Sequence, residues 1–105
     1  MYLTFGQVKN TIAQWADNIK KTCPHITVNV ISDTDEFLRV IFESKEHIAE
    51  LLVECNSFSP YRYVKMEILS LTSDYPLPVY TWYDSQNDDI NTIVCNLQIG
   101  LEFLK

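Results

Sequence analysis

Two histidines, three cysteines and two groups of carboxylates have the greatest chemical reach in this sequence. An imidazole titrates near neutrality, so His25 or His47 beside a carboxylate of Asp33, Asp35 or Glu36 would form an acid–base pair. No fuller constellation accompanies them: the serines are scattered, and none sits in a nucleophile-elbow motif. Near the start of an expected helix, His47 reads as a polar-face residue. His25, between Pro24 and an expected strand, reads as a loop residue. Cys23, Cys55 and Cys95 lack the close pairs of zinc and redox motifs, so reduced thiols are expected. Cys55 and Cys95 lie in or beside apolar helical patterns and read as small buried hydrophobes. Asp33, Asp35 and Glu36 lack the glycine of a calcium loop, since Phe37 follows them, and read as a solvated turn. No catalytic, metal or cofactor-binding residue is assigned, and no cofactor is expected.

A second acidic group, Asp84, Asp88 and Asp89, stands at the mouth of the last expected helix. Capping and dipole compensation account for it; an exposed acidic docking rim is the functional alternative. Beside it the aromatics concentrate: Tyr61, Tyr63, Tyr75, Tyr80, Trp82 and Tyr83. Tyrosine and tryptophan combine apolar area with a polar handle, which suits an interface or a small pocket, with core completion as the competing role. Strand alternation puts Tyr80 and Trp82 on one face and Val79, Thr81 and Tyr83 on the other. The expected interface therefore comprises Tyr61, Tyr63, Tyr75, Tyr80, Trp82, Asp84, Asp88 and Asp89. Exposed rings can stack on bases, but the basic groove that accompanies such stacking is missing, with only Arg62 and Lys65 nearby. A nucleic-acid partner is not expected.

These residues must be held by elements legible in the spacing. Phe5, Val8, Ile12, Trp15, Ala16 and Ile19 form a helical stripe, opened by the capping-box pair Thr4 and Gln7 and stopped by Pro24. Ile26, Val28 and Val30, then Leu38, Val40 and Phe42, alternate as the strands of a hairpin joined by residues 32–36. The opposite phase contains Ile31, Phe37 and Ile41, so the second face is expected to be partly covered. Ser44 reads as the cap of a second helix with Ile48, Leu51, Leu52 and Cys55 on one side. Asn56, Ser57, Ser59 and Pro60 then make a loop. Val64, Met66 and Ile68 mark a third strand. Asp74, Tyr75, Pro76, Leu77 and Pro78 break regular structure ahead of a fourth strand over 79–83, expected at a sheet edge. Asn87 reads as the cap of a last helix carrying Ile90, Ile93, Val94, Leu97, Leu101 and Leu104, within which Gly100 marks either fraying or a close helix contact.

The expected order is α-β-β-α-β-β-α in one α+β domain spanning 1–105. Its four-stranded sheet is antiparallel or mixed, with helices mainly on one face. A chain of 105 residues with 47% apolar content can build such a core without metal or disulfide. No stretch approaches the roughly 20 apolar residues of a membrane span. The first residues run into the helical pattern without a signal-peptide pattern, so a cytoplasmic setting without a membrane partner is expected.

The formal charge of −6 repels nucleic-acid phosphates and anionic lipid and favours a basic partner, although it also serves solubility. In size and charge alone the chain resembles small acidic inhibitors and bacterial immunity proteins. The acidic surface, the tyrosine-rich strand region and the lack of a catalytic signature point to a protein-binding module acting by surface complementarity, an inhibitor of a basic enzyme or a small adaptor. The alternatives are a small enzyme with an aromatic-lined pocket and a structural homodimer; an enzyme is the less favoured class.

Overall fold

Thr4 opens the first helix by reciprocal capping. Its hydroxyl accepts from Gln7 N–H at 3.2 Å, and the Gln7 side-chain oxygen accepts from Thr4 N–H at 2.9 Å. The computed structural model, which describes residues 4–55, 62–72 and 77–105, carries this helix, α1, over Phe5–Thr22. Val8, Ile12, Trp15, Ala16 and Ile19 form its buried stripe.

Five strands follow: β1 (Thr27–Thr34), β2 (Phe37–Glu43), β3 (His47–Glu54), β4 (Val64–Ser70) and β5 (Pro78–Tyr83). They pair antiparallel in the order β1-β2-β3-β4-β5, so each strand lies beside its neighbour in sequence. Helix α2 (Ile90–Leu101) and a 3₁₀ turn over Glu102–Leu104 complete the chain.

The expected second helix is strand β3 instead, so the sheet has five strands rather than four, and only two α-helices are present among the described residues. Ile48, Leu51 and Leu52 fit a helical stripe, but Ala49, Leu51 and Val53 also fit alternation, and a short apolar run satisfies both periods. Pairing decides between them. Residues 48–53 find register partners on both sides, Leu51 lying between Val40 and Met66. Ser44 caps no helix; its N–H donates to His47 O at 2.9 Å and closes the β2–β3 turn. With a strand in place of that helix, every pairing among the described strands is antiparallel and the expected alternative of a mixed sheet falls away.

The β1–β2 turn is also tighter than expected. Thr34 pairs with Phe37, leaving Asp35 and Glu36 to turn the chain, and the register slips between Val30 and Ser32. Pro78 begins the edge strand β5, where its missing N–H breaks no central ladder. Asp89, not Asn87, caps α2, its Oδ1 accepting from Thr92 N–H at 2.8 Å.

One core lies between the helices and a single face of the sheet. The cross-strand rows Leu38–Val53–Val64, Val40–Leu51–Met66 and Phe42–Ala49–Ile68 are all buried. Helix α1 packs over β1, β2 and β3, and α2 over β4. Gly100 makes the second contact close: a Cβ there would lie 2.8 Å from Met66 Sδ and 3.0 Å from Tyr80 Cε1. The Cα radius of gyration, 13.3 Å, is that of a folded chain of this length. No described helix is long and apolar enough to cross a membrane.

Candidate binding face of the sheet

Alternation within β5 puts Tyr80 and Trp82 opposite Ile68 and Met66, on the phase that faces the helices. Both rings are half-buried and packed against the core. The Tyr80 hydroxyl donates to Asn96 O at 2.8 Å, and its ring lies 5.7 Å from that of Phe103. Burial, and secondarily the neighbouring Cys95, push its pKa above the ordinary tyrosine value. Tyr63 is also half-buried, edge-on to Phe5 at 5.5 Å with the Arg62 guanidinium 5.0 Å above its ring. Tyr61 and Tyr75 lie outside the described residues, as do the loop residues expected over 56–60 and 74–76.

Asp84, expected on an acidic rim, is 2% exposed and lies inside the fold. Its Oδ1 accepts from Tyr63 N–H at 2.7 Å and Val64 N–H at 2.8 Å, fastening the start of β4 to the end of β5. Arg62 Nε faces Oδ2 at 3.5 Å as an ion pair, while the same guanidinium donates to Gln86 O and Asp88 O. Asp88 Oδ2 accepts from Ser85 N–H at 2.7 Å. Thr92, chiefly through its backbone N–H, holds the Asp89 carboxyl below its ordinary pKa. These carboxylates organise the turn into α2, and the rings of Tyr63, Tyr80 and Trp82 pack against the core between sheet and helices.

The histidines meet at one end of the sheet. His25, Ser44, Lys45, Glu46, His47, Phe103, Leu104 and Lys105 line a cleft of about 240 Å³. Asp33, Asp35 and Glu36 lie at the far end of β1, about 25 Å away at strand rise. Among the described residues no hydrogen bond joins either imidazole to a carboxylate. Asp33 instead pairs with Lys9 of α1 at 2.7 Å. Cys55 and Cys95, expected to be buried, are exposed: one follows β3 directly, and the other lies on the outer side of α2.

No described helix packs on the other face of the sheet. Its rows, from β2 through β4, are Arg39–Leu52–Lys65, Ile41–Glu50–Glu67 and Glu43–Ile48–Leu69. Ile41, Ile48, Leu52 and Leu69 are half-buried by their neighbours and leave apolar surface open. Arg39 Nε donates to Glu50 Oε2 at 2.8 Å across the β2–β3 diagonal. Arg39, Ile41, Ile48, Glu50, Glu67 and Leu69 surround a shallow cavity of about 230 Å³. Ile41 is legible in the sequence as a second-face residue. Glu67 and Leu69 of β4 reach it only once β3 is known to be a strand between them, and the alternation in 48–54 is the signal that could have revealed Ile48 and Glu50.

The fold and this face define an α+β domain whose antiparallel five-stranded meander is covered by helices on one side and, among the described residues, by no helix on the other. Set against models of known protein families, curated proteins and solved structures, the chain matches none.

Proposed function

We propose that this chain is a protein-binding module acting by surface complementarity, and that it meets its partner through the open face of the sheet. The observation that carries the reading is the apolar patch of Ile41, Ile48, Leu52 and Leu69, interleaved with charged side chains and covered by no described helix. Contiguous apolar surface rimmed by polar groups is characteristic of interaction sites. The charge of −6 favours a basic partner, and inhibition of a basic enzyme is one form such binding would take.

Site-specific photocrosslinking in the native host tests the reading. With p-benzoylphenylalanine at Leu69, one heterologous protein should be captured, and excess unlabelled wild-type chain should compete it away. A control probe at exposed Asn10, on the outer side of α1, should capture none. Capture from Asn10 alone, or an adduct made only of two copies of this chain, refutes the proposal.

A further inference from the structure

The β3–β4 register sets Glu50 directly opposite Glu67, a like-charge pair that disfavours strand pairing unless neutralised. Arg39 supplies one counter-charge from β2, its Nη2 lying 2.7 Å from Glu50 Oε2. On the other side Glu67 faces Thr81, and among the described residues its carboxylate makes no hydrogen bond or ion pair. Glu67 is half-buried and shares its cavity with Ile41, Ile48 and Leu69.

We infer that this cavity receives one arginine or lysine side chain from an amphipathic helix of the partner, its cation on Glu67 and its methylenes on Ile41, Ile48 and Leu69. The inference rests on the reading of the open face as the binding surface. A cation docked there gains from reduced screening by water, while its aliphatic stem covers apolar surface. Arginine fits better than lysine because a guanidinium can bridge Glu67 and the second oxygen of Glu50. At about 230 Å³ the cavity falls below the roughly 300–1,000 Å³ of small-molecule sites and suits a single side chain. Strands β2, β3 and β4 span about 10 Å between their outer axes, close to the width of one helix. A second copy stacked on this face would oppose Glu43, Glu50, Glu54 and Glu67 with the same four carboxylates against Arg39 and Lys65. Charge therefore favours a basic partner over self-association.

The test uses a phage-displayed library of random helix-length peptides panned on the full chain, with selected peptides titrated by fluorescence anisotropy. Circular dichroism and melting check that each variant folds. Selected peptides should carry an arginine or lysine among aliphatic residues at helical spacing and bind Glu67→Gln about tenfold or more weakly than wild type. Replacing the arginine by citrulline should give a similar loss on wild type and little further loss on Glu67→Gln. Peptides that lack a basic residue, or that bind Glu67→Gln as tightly as wild type, overturn the inference. If those peptides still lose affinity for Ile48→Thr/Leu69→Thr, the binding face itself stands; if they bind that variant unchanged, the face falls too. Failure to enrich any peptide overturns both. A dimer in sedimentation that Ile48→Thr/Leu69→Thr dissolves assigns the face to a second copy and overturns the basic-partner inference.

Discussion

Replacing Asp84 by alanine should cost this fold more than any other loss of a single charge. The Asp84 side chain has no exposure, and its Oδ1 accepts from two backbone donors at 2.7 and 2.8 Å. Alanine leaves the N–H groups of Tyr63 and Val64 without that acceptor, at about 1–3 kcal/mol for each donor water does not reach. It also strands Arg62, whose side chain is 15% exposed. Breaking a buried ion pair from one side costs about 3–5 kcal/mol in total, a large share of the roughly 5–15 kcal/mol that holds a domain folded. For a chain near this length, that lowers the melting temperature by about 15 °C or more. Asparagine keeps an acceptor oxygen but loses the charge, so Asp84→Asn should fall near the midpoint between wild type and Asp84→Ala. Urea unfolding and calorimetry of the three proteins at pH 7 give the comparison. If Asp84→Ala melts within about 3 °C of wild type, the clamp between β4 and β5 is not the energetic feature its geometry implies.

Gly100→Ala gains about 1 kcal/mol of helix propensity but pushes a methyl group against Met66 and Tyr80, so a net loss of about 1 kcal/mol is expected in urea unfolding; a gain would show that α2 can retreat freely. Because the folded pKa of Tyr80 is raised, the unfolded chain ionises first, and this residue's contribution to stability declines as pH rises past about 10. Tyr80→Phe should flatten the alkaline arm of the stability–pH curve while losing the Asn96 hydrogen bond at neutral pH. The depressed pKa of Asp89 has the opposite consequence: its contribution is present above about pH 3.9 and lost as pH falls through the folded value. The stability gap between wild type and Asp89→Asn should therefore be widest near neutrality and close in acid, as followed by circular dichroism. Cys55 and Cys95 should react with a thiol reagent in the native state well before Cys23, read by mass spectrometry of timed samples.

Helix α1 was fully legible because local signals agreed: the Thr4–Gln7 capping box, the stripe from Val8 to Ile19 and the stop at Pro24 need no distant partner. Strand β3 was not, because Leu51 belongs to a helical stripe and to a strand alternation at once. The choice between them is made by Val40 and Met66, far away in sequence. That single ambiguity also hid the open face, since Ile48 and Glu50 join Ile41, Glu67 and Leu69 only in a continuous sheet. Alternation correctly paired Tyr80 with Trp82, but which phase faces the helices is set by the opposing Ile68 and Met66. Nothing near Asp84 in sequence announces that it caps backbone donors twenty positions earlier.

The meander has a consequence for how the molecule is made. Because each strand pairs with its neighbour in sequence, the sheet can grow hairpin by hairpin with short loop closures, a topology that favours rapid assembly. The two helices enter this process at different times. Helix α1 precedes the strands it covers and can shelter β1 to β3 as they form, whereas β4 and β5 must wait for α2. Until it arrives, Met66, Ile68 and Trp82 face water beside the unpaired edge of β5, so a nascent chain stalled or clipped between β5 and α2 is the form most prone to aggregate.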